Sequence, residues 1–335
     1  MFEVPEIAPV APEIHRPFWS VMVPSCGRSP FLRRTLESIL ANAAAAPEDF
    51  QIAVLDNTPP GTTGNIAEIV ETLSDKIEIH RNAGFVGMAE NWNHCLEKSR
   101  GHYVQILHDD DFLADNYHAR MRELIETAPP EYGIFGCSTA YVDPDDRVGG
   151  VWRYPGFLYR GRATIADFAL ENYFCAPSVT VRRECYERLG GFVEHFRFSA
   201  DWEMWCRIIR FYRAAALDEP LAFYRWHGAN ATLKIQESGD DVTEALEVLD
   251  ELHRDGVKFH WRLARLSRVR YAMINGGRFH AAGKIEAAER CRKIVVDNSG
   301  FFGRLLISSG FFVALRYWRR LGARLADFFH RGGRR

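Results

Sequence analysis

Aspartates at 109, 110 and 111 follow the run Tyr103-Val104-Gln105-Ile106-Leu107-His108 without a break. Adjacent carboxylates repel one another, and a divalent cation is the simplest partner that holds them together. Such a cation would in turn carry a phosphorylated ligand. The plainer reading is a solvated loop in which Asp111 caps a helix beginning near Asp115. A further acid, Asp56, stands after Ala53-Val54-Leu55. Alone it reads as an Asx-turn residue.

The apolar, β-branched runs before these acids read as buried strands. Phe18 to Pro24 forms a first strand, Gln51 to Leu55 a second, Lys76 to His80 a third, and Tyr103 to Leu107 carries the acidic triplet. Helical spacing at Leu32, Leu36, Ile39 and Leu40, again over Ile66 to Leu73, and a further helix before Gly101 separate them. Strands alternating with helices indicate an α/β fold with a mostly parallel central sheet and helices on both faces. In such a sheet ligands bind outside the carboxyl ends of the strands, so Asp56 and the triplet would share one crevice. After Pro130 the pattern changes: Gly133 to Ser138 is a candidate strand, Val142 to Gly150 a turn, and 151–230 mixes short strands with a helix over Asp201 to Phe211. From Thr243 to Asn298 the chain reads as mostly helical.

Several ordered motifs between about Trp19 and Thr232 resemble the family 2 glycosyltransferases, nucleotide-sugar enzymes of GT-A fold. Ser20-Val21-Met22-Val23-Pro24 is similar to the opening strand and first nucleotide loop, and Val54-Leu55-Asp56-Asn57 to the strand whose Asp holds the base. Arg81 to Gly87, with Asn82 and Gly84, resembles the Asn-x-Gly segment. Leu107 to Asp111 stands in the metal-binding place, with His108 where an Asp is commoner. The resemblance implies Asp110 as metal ligand and Asp109 as ribose partner, and leaves His108 unassigned. Ser199 to Trp205 resembles the Glu-Asp motif, with Ala200 replacing the first acid. That makes Asp201 the general base, Glu203 its fallback, and a helix cap the plainer alternative. Phe223 to Asn230 places His227 where relatives reach the metal or diphosphate, with Arg225 available to phosphate. Mn²⁺ or Mg²⁺ is the implied cofactor. The processive members' Gln-x-x-Arg-Trp appears here as Ala222-Phe223-Tyr224-Arg225-Trp226, without the Gln, so a single sugar transfer is expected. The implied partners are a nucleotide-diphosphate sugar donor and a glycan or lipid-linked acceptor, as in bacterial surface polysaccharide assembly.

The divisions expected are a flexible lead-in over 1–17, a GT-A domain over 18–232, a helical extension over 233–300 and a basic amphipathic tail over 301–335. The GT-A domain would comprise a nucleotide-binding half, 18–115, and an acceptor half, 116–232. A net charge of -2 over 335 residues gives no case for nucleic acid. Seven scattered cysteines lacking CxxC spacing fit a reducing cytosol rather than a disulfide framework or zinc site. No secretory signal or membrane span is recognisable. Between 311 and 329, aromatic and leucine residues recur at helical spacing with Arg316, Arg319, Arg320 and Arg324 largely elsewhere on the wheel. Such a helix suits an anionic membrane surface at the inner face of the plasma membrane, or else packs on its own core or a partner. Two rival functions stand beside glycosyl transfer: a sugar-nucleotide nucleotidyltransferase, and a catalytically silent membrane-surface or glycan-binding protein of the same fold.

Overall fold

The first strand of the computed structural model, β1 (Trp19–Ser25), alternates between two cores. Trp19, Val21 and Val23 pack on one side of the sheet against Leu32, Leu36 and Ile39. Met22 faces the other side, in the core that includes Ala89 and Trp92. Burial on both faces is why this strand is a continuous apolar run rather than a polar/apolar alternation. The structure describes residues 2–27, 29–62, 64–227 and 231–308.

After β1 come α1 (Leu32–Ala43), β2 (Phe50–Asp56), α2 (Ile66–Leu73), β3 (Ile77–Arg81), α3 (Met88–Lys98) and β4 (Tyr103–Ile106). Helices α1 and α2 lie on one face and α3 on the other. The strands run parallel in the order β3-β2-β1-β4. The order reverses at β1, which opens a crevice at the carboxyl ends of β1 and β4. Ser25, Asp56 and Arg81 end their strands on this one edge, and His108 lies just beyond β4.

The acidic triplet does not lead into a helix. It runs into a two-residue strand, β5 (Phe112–Leu113), and α4 (Tyr117–Thr127) starts later with Asn116 at its N-cap. The expectation that Asp111 caps a helix near Asp115 is therefore corrected. Its side chain is 1% exposed and points inward.

The rest of the sheet is built from β6 (Tyr132–Val142), β7 (Val148–Trp152), β8 (Thr180–Arg182) and β9 (Arg213–Arg225). Strand β8 joins β4 to β6 by antiparallel pairing, while β6 and β9 form a long parallel ladder. That ladder shifts register around Cys137 and Ser138, where Pro220 enters β9, and such irregularities bend a strand. The segment expected to be a turn, Val142 to Gly150, is the bend of a β6–β7 hairpin whose second strand begins at Val148. At its far edge β9 pairs antiparallel with β5, Phe112 opposite Phe223, their rings stacked at 4.5 Å. This pairing carries the segment after β9 to the acidic triplet.

Short helices α5 (Gly156–Tyr159), α6 (Ile165–Leu170) and α7 (Arg183–Leu189) precede α8 (Ala200–Ile209). The chain then becomes helical: α9 (Ala231–Ser238), α10 (Asp240–Arg254), α11 (Trp261–Ala281), α12 (Ile285–Asn298) and α13 (Phe301–Ser308). Helix α10 takes part in two cores. Ala245, Val248, Leu249 and Leu252 join the core containing Trp202 and Trp205, while Val242 and Leu246 pack with Val269 and Ala272 of α11.

The first residues, read from composition as a flexible lead-in, lie packed against the domain. Ile7 is wholly buried, Gly191 N–H donates to Pro5 O at 2.8 Å, and Phe2 meets Phe196 edge-on. Gly190 has φ +83°, and a Cβ there would come within 2.6 Å of Val4, so glycine suits both the turn and the strap lying on it. Among the described residues no helix is long and apolar enough to cross a membrane. The tail at 311–329 lies outside the described residues.

Candidate active site

Pairing of β5 with β9 places His227 Nε2 3.0 Å from Asp110 Oδ2. On the other side of the same loop, His108, Asp110 and Asp111 each bring a ligand atom within 4.8 Å of the others. Oδ1 of Asp111 accepts the Arg225 backbone N–H at 2.9 Å, while its Oδ2 is buried without a hydrogen-bond partner. Burial, reinforced by the Asp110 charge, pushes the Asp111 carboxyl well above the carboxylate range. Burial also pushes Asp109 up to about 7 against the opposing hydrogen bond from Ser25 Oγ at 2.5 Å. His108 is held below the ordinary imidazole value by burial, and its ring stacks on Trp92 at 5.4 Å. Mixed imidazole and carboxylate donors with an orphaned inward oxygen fit Mn²⁺, whose charge reverses such upward shifts. The residues present therefore fit the implied metal. His108 and Asp111 belong with Asp110 here, which the sequence left open.

Along the crevice, Pro24 is the half-buried penultimate residue of β1, opposite Leu55. Asp56 makes the Asx turn its sequence context suggests, Oδ1 accepting from Thr58 N at 2.9 Å and Thr58 Oγ1 at 2.5 Å. Its Oδ2 lies 3.7 Å from Arg81 Nε. Beside it Asn57 latches the loop after β3: Nδ2 donates to Val86 O, and Oδ1 accepts from Val86 N, both at 3.0 Å. The Asn82 amide group is spent on this scaffold, donating to Asn57 and Asn91 and meeting His94 Nδ1 at 2.9 Å. Asn82 thus sits at the expected place but shapes the loop rather than presenting its side chain to a ligand. Gly84 is exposed, and a Cβ there would touch nothing within 4 Å. The Asn57 latch was missed because its partner is the backbone of Val86, which carries no residue signal.

Asp201 stands in the first turn of α8, and its cap position belongs to Ser199. Desolvation pushes its carboxyl up to about 7, opposed by the Trp202 N–H and a hydrogen bond from Asn172. It lines a pocket with His108, Trp92, Tyr186, Phe192 and Trp205. The base candidate and one metal-ligand candidate thus line the same pocket. Glu203, the fallback base, is committed elsewhere: its oxygens take Arg207 Nε at 3.0 Å and Nη2 at 2.7 Å. Trp202 is core, its indole N–H donating to Phe168 O. Trp205 lines the pocket, and its buried indole nitrogen has no protein partner.

Arg225 differs from expectation. It is 1% exposed, lodged between the rings of Phe31 and Phe112. Its Nε donates to Asp110 O at 2.9 Å, Nη1 to Asp143 O and Pro144 O, and Nη2 pairs with Asp146 at 2.5 Å. A guanidinium used on every nitrogen from inside the protein cannot also receive a diphosphate. It braces the loop of the acidic triplet against the β6–β7 hairpin.

A reversed strand order at β1, acids on its carboxyl edge and a further carboxylate lining an aromatic pocket define a GT-A-type sugar transferase. The model of the family described as "Glycosyl transferase family 2" matches residues 20–190. The chain belongs to glycosyltransferase family 2. It is an enzyme of that class, which decides against the nucleotidyltransferase alternative. Asp201, Arg225 and His227 lie beyond the matched stretch. Among curated relatives, an uncharacterized glycosyltransferase EpsJ of Bacillus subtilis is 26% identical over 223 residues, covering 62% of this chain and 61% of that protein. A PGL/p-HBAD biosynthesis glycosyltransferase of Mycobacterium bovis is 23% identical, covering 56% of this chain and 68% of the relative. A solved mannosyltransferase, PcManGT of Pyrobaculum calidifontis in complex with GDP-Man and Mn²⁺, superposes with a TM-score of 0.56 at 18% identity. That superposition covers 98% of this chain and 91% of the other, a likeness of fold.

Proposed function

We propose that the protein transfers a single sugar, with inversion and with the help of a divalent metal, from a nucleotide-diphosphate sugar to a glycan or lipid-linked acceptor. The observation that carries this reading is the shared pocket. Asp201, whose carboxyl burial pushes up to about 7, and His108, next to the acidic triplet, line one pocket with Trp92, Tyr186, Phe192 and Trp205. Asp56 and the loop held by Asn57 and Asn82 border the place for the base, with Pro24 and Gly84 at its rim. Asp109, tethered by Ser25, takes the ribose. Asp110, His227, His108 and Asp111 would hold Mn²⁺ or Mg²⁺, which when bound offsets the charge developing on the departing diphosphate. Asp201 Oδ removes the acceptor hydroxyl proton as that oxygen bonds to the anomeric carbon and the nucleoside diphosphate leaves from the opposite face. One base and one displacement suffice, so the anomeric centre inverts.

The acceptor class is supported from two sides. A curated relative is named for PGL/p-HBAD biosynthesis, and the Arg-rich residues at 311–329 suit a lipid surface. The basic tail favours an acceptor presented at a membrane surface, as in surface-polysaccharide assembly. The missing Gln before Arg225-Trp226 favours one sugar per acceptor.

The test is release of nucleoside diphosphate from UDP-, GDP- and dTDP-sugars by the full chain, with Mn²⁺ or with EDTA. Turnover is expected with one donor class, abolished by EDTA. Asp201→Asn should lower it by about 10²–10⁴ while Mn²⁺-dependent nucleotide binding persists. Unchanged turnover in Asp201→Asn would remove it as the base.

A further inference from the structure

Helix α10 reaches the candidate base through one carboxylate. Glu244 is 9% exposed, and its oxygens accept three consecutive backbone N–H groups, from Arg197, Phe198 and Ser199, each at 2.8 Å. Ser199 occupies the cap position of α8 without a capping side-chain bond. The N–H of the cap residue Ser199 is one of the amides that a helix start leaves without an intrahelical partner, and a carboxylate from a different helix accepts it together with the two amides just before it. Bonds from amides to an ionised oxygen are among the stronger neutral-to-charged contacts. Asp240 and Glu247, one turn to either side on α10, reach Arg197 at 3.1 Å and His195 at 3.2 Å. Residues 195–199 are therefore held along one stripe of α10, and Asp201 begins two residues later.

The same extension touches the surroundings of Asp201 twice more. Arg268 of α11 lies 4.1 Å over the ring of Trp202. Tyr271 OH donates to Glu171 at 2.7 Å, beside the Asn172 that hydrogen-bonds Asp201.

We propose that Glu244 is a positioning residue for Asp201, so that the helical extension completes the acceptor side of the active site rather than being an appendage. This rests on the reading of Asp201 as base. A carboxylate fixed on three amides sets the origin of α8, and that origin sets where the Asp201 carboxylate meets the acceptor hydroxyl. The donor edge, built on β1, β2 and the loop after β4, makes no use of Glu244.

The experiment measures kcat and donor KM of Glu244→Gln, in the full chain, with whichever UDP- or GDP-sugar the wild type turns over best in Mn²⁺. Glutamine keeps the size but replaces one acceptor oxygen by an NH₂ that confronts the amides. The expected result is a kcat lower by about tenfold or more, since small misplacements of a reacting group are costly. Donor KM should stay within about twofold, because only transition-state interactions are lost. Thermal stabilisation by UDP or GDP with Mn²⁺ should persist. Glu244→Asp, which keeps the charge, is the milder second variant and should show the same selective kcat loss to a smaller degree. Glu286→Gln, on the exposed surface of α12, should behave as wild type. Normal kcat in Glu244→Gln and Glu244→Asp overturns the proposal, as does a kcat loss matched by loss of nucleotide-dependent stabilisation. If Asp201→Asn is inactive while both Glu244 variants are normal, the clamp alone fails. If Asp201→Asn turns over normally, the base assignment fails first.

Discussion

Replacing Arg225 by Met separates two roles for a guanidinium that the sequence alone cannot distinguish. A diphosphate ligand would be exposed in the crevice, and its loss would weaken donor binding with little effect on folding. The structure instead buries Arg225, with Nε on Asp110 O, Nη1 on Asp143 O and Pro144 O, and Nη2 on Asp146. The Asp146 pair contributes modestly, because that carboxylate is 39% exposed and screened by water, worth about 0–1 kcal/mol. Three carbonyls lose a charged donor; Pro144 is exposed, so its carbonyl can turn to water, while the part-buried Asp110 O and Asp143 O left unmet cost about 1–3 kcal/mol each. Methionine restores part of the packing between Phe31 and Phe112, so the net loss should be about 2–4 kcal/mol. At about 2–4 °C per kcal/mol for a domain of this general size, the Tm should fall by roughly 10 °C. The assay is thermal unfolding without nucleotide, followed by steady-state kinetics on the folded fraction. Arg225→Lys, with one compact ammonium in place of the fork, should lie between wild type and Arg225→Met. A Tm within about 2 °C of wild type, combined with a donor KM raised about tenfold or more, would refute the brace and restore the phosphate-ligand role.

Two further outcomes concern pH. With the Asp201 carboxyl near 7, the base is about one-tenth ionised at pH 6 and about nine-tenths at pH 8, so kcat/KM should rise about tenfold across that interval. A profile flat from pH 6 to 8 would count against Asp201 as the titrating base. His118 is enclosed by Trp19, Phe50 and Tyr117 with both ring nitrogens unpartnered, and burial lowers its pKa to about 3. Its folded pKa lies below the unfolded value, so the unfolded chain binds the extra proton. Its contribution to stability is complete above about 6.5 and declines toward pH 3, at about 1.4 kcal/mol per pH unit. Urea denaturation at pH 5 and pH 7 should show that slope diminished in His118→Phe; an unaltered slope would mean another group carries it.

The nucleotide half was legible because its physics is local. Strands β1, β2 and β4 are buried on both faces, so they appear as apolar runs, and their final residues mark the edge where Asp56 and Asp109 to Asp111 stand. The acceptor half resisted for the opposite reason. Strand β5 is two residues long and exists only because β9 pairs with it, and β9 contains Pro220, which argues against a strand until the register shift opposite it is seen. Arg225 beside Trp226 and His227 looks like a ligand set; nothing nearby in sequence announces that Phe31, Phe112 and the hairpin carbonyls close over it. Glu203 follows the same rule, since its Arg207 partner reads equally as an ordinary surface pair one turn along a helix. The pairing of His108 with Asp110 and Asp111 was visible as adjacency but not as geometry, because consecutive residues point in different directions until the loop bends.

The strap and the Glu244 clamp together have a consequence for how the chain is made. Gly191 is tied to Pro5, which is translated early, whereas Arg197, Phe198 and Ser199 wait for Glu244, which emerges 43 residues after Asp201. At about 5–20 residues per second, that interval is about 2–9 s of synthesis. The parallel strands carrying the donor edge are complete well before then. A nascent chain therefore passes through a stage in which the crevice at the carboxyl edge of β1 can form while the loop leading to Asp201 has one anchor and lacks the other.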